Sequence, residues 1–175
     1  PLTICGVGPI ISATFFANVN MERAATPGNI ISFCGIHPNS RKEKGKKLTY
    51  CEDMKRCCFF LGESFVKVQN RDDDIYGKLF KRRKDIEQAK NLAKEFSDQA
   101  EEKLEHLRSK TTDAYAAYSK GMLPPAHIHA RARRWAVKKF IHAWWCGQYW
   151  FEHGEIPTLE PWPIANLEGH THHLP

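Results

Sequence analysis

The segment Gly6-Val7-Gly8-Pro9 has the composition of a turn that binds an anion. Glycine lets the backbone approach a ligand closely, and proline suits the first position of a helix. The first amides of a helix have no partners within it, so they can bind a phosphate group. Gly6, Val7 and Gly8 are therefore candidate contacts to a DNA backbone, although the same pattern also occurs in plain turns.

A basic loop from Asn39 to Lys47 is the second candidate for phosphate binding. Lysine and arginine neutralise phosphates and give an attraction that does not depend on base sequence. A solvated surface loop has a similar composition, so the loop alone is consistent with both interpretations. Its candidate contacts are Arg41, Lys42, Lys44, Lys46 and Lys47.

The third candidate is a positive stripe on a helix predicted over 126–151. Helical periodicity places Arg131, Arg134 and Lys138 on one face with Trp135, where they can hold phosphates and stack on bases. A merely solvated polar face is the alternative, but the stripe is uniformly positive, which favours nucleic acid. Arg133 falls near the apolar face, so we expect it to need a partner.

No catalytic or metal site is complete in this sequence. His127 and His129 are two positions apart and point to different faces of a helix. The histidines after residue 169 have no cysteine or carboxylate at ligand spacing. The run Asp72-Asp73-Asp74 is more typical of a helix start than of carboxylates that converge on two metals. We expect no metal and no cofactor in this chain.

Composition agrees with a polyanionic partner. The net charge is +6, and no lysine or arginine follows Phe151, so a basic body precedes a weakly acidic tail. No apolar run approaches the roughly 18 residues that span a bilayer, which predicts no membrane segment. The six cysteines form no C-x-x-C pair, and without an export signal they indicate reduced core thiols in a cytoplasmic protein, in preference to disulfides or metal ligands.

Apolar spacing predicts an all-α fold that positions these candidates. We expect helices that begin at Pro9 and at Pro27, a helix over 52–68, and one long charged amphipathic helix within 72–119. The buried face of the last helix is predicted to contain Ala132, Ala136, Phe140, Ala143, Trp144, Gly147 and Phe151.

These elements suggest four regions. Residues 1–70 form a core with a helix-hairpin-helix, and 71–120 form the long charged segment. Residues 121–155 supply the last helix, which packs on the core, and 156–175 form a Pro/His-rich tail. The helix-hairpin-helix is expected because the turn Gly6-Val7-Gly8-Pro9, which leads into a helix, resembles that module, whose backbone binds DNA without reading its sequence.

Taken in order, the motifs resemble the C-terminal transposase domain of the IS-one-ten family, the DEDD-type relatives of the Piv and MooV recombinases. The segment Cys5-Gly6-Val7-Gly8-Pro9 with Ala13 resembles that family's opening P-G-I-G-P-x-x-A hairpin. Phe33-Cys34-Gly35-Ile36-His37-Pro38 resembles its aromatic-x-Gly-hydrophobic-x-Pro signature. The resemblance covers residues 1–70 well and 121–146 in part.

The resemblance implies the DNA-binding part of an insertion-sequence enzyme that cuts and rejoins DNA. In the family, a RuvC-like domain supplies acidic ligands for a metal, here expected to be Mg, and a loop serine is the nucleophile. We therefore expect a RuvC-like domain elsewhere in a longer chain, with DNA and a guide RNA as partners. The full-length protein is expected to be a homo-oligomer at the prokaryotic nucleoid, and this chain alone is expected to be inactive.

The nucleophile departs from the family pattern. The family serine directly precedes the loop glycine, whereas here Lys44 precedes Gly45 and the only loop serine is Ser40. Either Ser40 attacks through a different loop register, or this member lacks the nucleophile. Two other functions are alternatives to a transposase. One is a non-catalytic nucleic-acid-binding module or transposase remnant, and the other is a helical scaffold that dimerises through 72–119.

Overall fold

The computed structural model describes residues 3–38, 40, 42 and 44–157. These residues form seven α-helices and no strand, which confirms the all-α prediction. None of the helices in these ranges is long and apolar enough to cross a membrane. The helices are α1 (Pro9–Asn18), α2 (Pro27–Phe33), α3 (Glu52–Val68), α4 (Tyr76–Leu92), α5 (Ser97–Glu105), α6 (Asp113–Tyr118) and α7 (Pro125–His153).

The chain divides into two compact units, and α3 and α7 contribute residues to both. Unit 1 contains Gly8–Phe59 together with residues 138–157, and unit 2 contains Thr3–Val7 and Phe60–Val137. Most of the tail predicted over 156–175 lies outside the described residues.

Helix α2 shows how local signals set the boundaries in unit 1. It begins at Pro27, and Thr26 is its N-cap residue. It ends in a Schellman motif, in which Gly35 N donates to Ser32 O at 2.9 Å and Ile36 N donates to Ile31 O at 3.2 Å. Gly35 has φ +63°, and a Cβ there would lie 2.7 Å from the ring of Tyr50. Glycine is therefore required at this position for both conformation and space.

Aromatic residues form the core of unit 1. Phe15 is fully buried, and its ring centroid lies 5.5 Å from that of Phe140 and 5.5 Å from that of Trp144. Trp145 Nε1 donates to Ala24 O at 2.6 Å, so the indole satisfies its polar atom while its ring is buried.

Three of the six cysteines are buried in unit 1 as free thiols: Cys34, Cys57 and Cys58. Burial raises the pKa of Cys57 to about 11, which keeps this thiol protonated and unreactive at neutral pH. The other three, Cys5, Cys51 and Cys146, are half-buried, so the expectation that all six lie in the core is wrong for them.

The long helix predicted within 72–119 is wrong, because the structure divides this region into α4, α5 and α6. Helix α4 ends in a second Schellman motif, in which Lys94 N donates to Asn91 O at 3.1 Å and Glu95 N donates to Lys90 O at 3.1 Å. Lys94 takes φ 61° in this turn. No glycine or proline marks the break, so apolar periodicity alone indicated a continuous helix.

Polar side chains hold the elements of unit 2 in place. The carboxylate of Asp74 is buried and accepts from Gly77 N at 3.0 Å and Lys78 N at 2.8 Å, which caps the start of α4. This agrees with the prediction that the aspartate run serves a helix start. The side chain of Asn91 donates to Leu123 O at 2.9 Å and accepts from Leu123 N at 2.7 Å.

The buried face predicted for α7 is correct in its first half and wrong at its end. Ala132, Ala136, Phe140 and Trp144 are buried, whereas Ala143, Gly147 and Phe151 are exposed. In unit 1 the helix is buried where Phe15 and Ala24 contact it, at Phe140, Trp144 and Trp145. A helical wheel extends this face to the end of the helix, but burial requires packing partners at each turn.

Candidate nucleic-acid interface

The glycines of the opening motif occupy two different environments. A hydrogen bond from Val7 N to Ile4 O at 3.0 Å closes the turn. Gly6 has φ +85°, and its carbonyl accepts from Ser64 Oγ at 2.6 Å. A Cβ on Gly6 would lie 3.2 Å from Val68 Cγ2, and Val7 is 5% exposed. Gly6 and Val7 therefore shape the turn and pack it against the second half of α3 in unit 2.

Gly8 stands at the exposed start of α1 in unit 1. It is the N-cap residue with φ −83°, it provides no side-chain cap, and Pro9 follows at the first helical position. An added Cβ on Gly8 would meet no atom within 4 Å. The first turn contains no acidic residue, so the positive end of the helix dipole is not neutralised by its own side chains. Of the three predicted hairpin contacts, Gly8 is the one with open space in front of it.

The described residues before Pro9 form a turn and not a helix. A helix-hairpin-helix requires a helix on each side of the hairpin, so these residues do not provide the first of the two. The predicted module stays a hypothesis for this part of the chain.

The basic loop of unit 1 is exposed between α2 and α3. Lys44, Lys46 and Lys47 are exposed, and Gly45 between them has φ +81°. Lys42 Nζ lies 3.6 Å from Glu52 Oε1, where both side chains are largely solvated and the ion pair is weak. Arg41 lies outside the described residues.

Ser40 belongs to a turn at the start of this loop. Its backbone N donates to His37 O at 3.0 Å, and the residue is half-buried. Its role as a nucleophile stays a prediction.

Arg131, the first predicted contact on α7, is held by other residues of unit 2. Its Nε donates to Glu87 Oε2 at 2.7 Å, and its Nη1 donates to Gln99 Oε1 at 3.1 Å. The guanidinium carbon also lies 4.4 Å from the ring centroid of Phe96. These contacts orient Arg131 within the unit, so a phosphate would have to compete with them.

The remaining basic residues of α7 differ in exposure. Arg134 is exposed at the helix surface. The pKa of its guanidinium is lowered, first by the partial loss of hydration next to neighbouring side chains and then by repulsion from Arg131 and Arg133. Lys138 is half-buried and interacts with other residues of the chain. The predicted partner for Arg133 is confirmed, because its guanidinium pairs with Glu63.

Glu87 is 1% exposed and is a residue that the sequence pattern did not predict to be important. Arg83 Nε donates to its Oε1 at 2.8 Å, and the guanidinium of Arg83 also lies 5.5 Å from the ring centroid of Trp135. The four-residue spacing of Arg83 and Glu87 was a visible signal for an ion pair. The pairing with Arg131 had no such signal, because it joins positions 44 apart.

Within the described ranges, no group of three or more His, Cys, Asp or Glu side chains is placed to hold a metal ion. The chemistry that the candidate interface supports is the electrostatic binding of an anion, by the exposed lysines of the basic loop and by the start of α1.

No family model, curated protein or solved structure matches this chain.

Proposed function

We propose that this chain is the DNA-binding, C-terminal part of an insertion-sequence transposase. The observation that carries the proposal is the exposed loop that contains Lys44, Lys46 and Lys47. This loop follows the Gly35 turn and precedes α3. In the IS-one-ten family, too, a short Ser/Gly/Lys-rich loop follows the aromatic-x-Gly signature and precedes a helix.

Phosphate binding is the chemistry that best fits this loop. Three exposed lysines within four positions create a local positive potential, and Gly45 lets the backbone between them turn with positive φ. Contacts of this kind bind the DNA backbone with little base preference and weaken as salt displaces the protein from the phosphates. The uncapped start of α1 offers a second phosphate site of the same character.

Strand cleavage and exchange are proposed to require more than this chain. Ser40 is the candidate nucleophile, and a RuvC-like domain of a longer protein is proposed to supply the acidic residues that bind Mg. The guide RNA, the homo-oligomeric state and the nucleoid location belong to the same proposal.

A salt titration with two matched variants tests the DNA-binding role of the loop. Fluorescence anisotropy would measure the binding of a labelled duplex to Lys44→Gln/Lys47→Gln and to Lys110→Gln/Lys120→Gln. Both variants remove two exposed lysines, but only the first removes them from the loop. If both loop lysines contact phosphates, the slope of log K against log salt falls by about 1.8 in the loop variant and is unchanged in the control.

Two outcomes would contradict the proposal. Equal losses in both variants would mean that net charge, and not this loop, sets the affinity. A wild-type chain that binds no duplex at low salt would instead favour a helical scaffold.

Ser40→Ala in the longer transposase separates the enzyme from the non-catalytic binding module. The proposal expects strand exchange to be lost while duplex affinity stays within twofold of wild type, since a hydroxyl that attacks phosphorus contributes little to binding. Unchanged strand exchange would exclude Ser40 as the nucleophile.

A further inference from the structure

The last turns of α7 carry an apolar stripe that the described residues of unit 1 leave exposed. The side chain of Trp150 is 57% exposed and that of Phe151 is 81% exposed. Ala143 and Gly147 are exposed on the same helix, and a Cβ on Gly147 would meet no atom within 4 Å. Large exposed aromatic residues beside one another are uncommon on a surface that contacts only water.

The residues of the stripe have the spacing and sizes that are typical of a helix–helix contact. Ala143, Gly147 and Trp150 follow one another at steps of four and three residues, so they lie along one side of α7. The two small residues leave a shallow depression one turn from the large indole. A second helix can approach closely over small residues, and a large side chain can fill the depression.

We propose that this stripe binds the same stripe of a second copy of the chain, with the two helices antiparallel. A two-fold axis between positions 146 and 147 would place Trp150 of each copy over Ala143 and Gly147 of the other. A two-fold interface requires a surface that is complementary to itself, and a depression beside a large side chain on one helix meets that requirement.

Charge supports a second copy in this orientation. The unit 1 segment of α7 begins with Lys138 and Lys139, has Glu152 in its last turn and is followed by Glu155. Antiparallel pairing brings the basic end of each copy near the acidic end of the other, whereas parallel pairing would align like charges. The two glutamates, with no lysine or arginine after Phe151, also disfavour a nucleic acid as the occupant.

Analytical ultracentrifugation over a roughly hundredfold range of concentration tests the proposal, because dimerisation follows mass action. The wild-type chain is expected to change from monomer to dimer. Gly147→Leu fills the depression, and we expect it to raise the dissociation constant at least tenfold. Leucine favours helix more than glycine does, so this variant should remain folded, as circular dichroism would show.

Ala17→Leu is the matched control, since it also adds an apolar side chain to an exposed helical position of unit 1. It is expected to dimerise like the wild-type chain. Equal weakening by both variants would overturn the proposal, as would a Gly147→Leu chain that dimerises normally.

Cross-linking locates the interface independently. Cys146 is a free thiol that lies as close to the proposed two-fold axis as Gly147, so it is first replaced by serine. Gly147→Cys in this Cys146→Ser chain places one thiol beside the axis, and mild oxidation with diamide is expected to give a disulfide-linked dimer. Cys146→Ser alone and Cys146→Ser with Ala17→Cys are expected to give far less. A full chain that is monomeric throughout overturns the proposal. Comparing acrylamide quenching of the wild-type chain with that of Trp150→Phe then shows whether solvent or another part of the chain covers Trp150.

Discussion

Arg131 Nε donates to Glu87 Oε2 at 2.7 Å, although 44 positions separate the two residues. Arg83 donates to the other carboxylate oxygen, so the buried carboxylate lies between two guanidinium groups. This network joins α4 to α7 within unit 2. Its consequences for stability follow from the cost of burying a charge without a partner.

Glu87→Gln is expected to lower the free energy of unfolding by about 3 kcal/mol, because it leaves two arginines without their counter-charge. Urea denaturation followed by circular dichroism would measure the change. The control is Glu101→Gln, which removes an exposed carboxylate from α5 and should change stability by less than about 0.5 kcal/mol. Equal effects would mean that the ion pairs contribute little.

The same carboxylate predicts how stability depends on acid pH. Burial alone would raise the pKa of Glu87, but Arg131 and Arg83 outweigh it, and the pKa is lowered in the folded chain. Its contribution is therefore present above the unfolded pKa of about 4.3 and is lost as pH falls through the lower folded pKa. The stability difference between wild type and Glu87→Gln should shrink over this interval. A difference that is constant from neutral pH to pH values well below the folded pKa would contradict the assignment.

Gly8→Asp is expected to change stability and DNA affinity in opposite directions. An aspartate N-cap accepts from the first amides of α1 and favours the helix dipole, so the free energy of unfolding should rise by about 0.5 kcal/mol. The same carboxylate would occupy and repel a phosphate site there, so duplex affinity should fall severalfold in anisotropy titrations. Gly6 is a poor choice for this test, since its φ of +85° makes any side chain strained.

Asn20→Asp controls for the added negative charge, because Asn20 is exposed in unit 1 and outside α1. If it weakens DNA binding as much as Gly8→Asp, the start of α1 has no special role.

Lys94→Gly is expected to raise the free energy of unfolding by roughly 0.5–1 kcal/mol, because Lys94 adopts the left-handed conformation that glycine tolerates best. Thermal and urea denaturation would both report it. Lys94→Ala removes the same long side chain but keeps the strain, so it should not stabilise the chain. Equal stabilisation by the two variants would assign the effect to the lysine side chain instead.

Much of the local structure could be predicted from the sequence. The helix predicted over 52–68 has those bounds in the structure, and α1 and α2 begin at the predicted prolines. These boundaries depend on residues that act within one or two turns, such as Pro27 and Gly35. The break at Lys94 could not be predicted, because a lysine in the left-handed conformation leaves no compositional signal.

The candidate site, too, could be predicted from the sequence only in part. The exposed lysines around Gly45 were visible as a charge run, and the structure leaves them exposed. The positive stripe on α7 was also visible, but its periodicity did not reveal that Arg131 pairs with Glu87. Helical spacing assigns a face to a residue and does not identify the groups that occupy that face.

The sequence by itself determined the bounds of α3, the starts of α1 and α2 and the distribution of charge, since each depends on neighbours within a few positions. Only the tertiary structure decided which arginines are paired, which end of the α7 apolar face is covered, and which glycine faces open space. Those outcomes depend on atoms brought together from distant positions, as with Arg133 and Glu63, which are 70 residues apart. The local pattern of the sequence does not indicate such contacts.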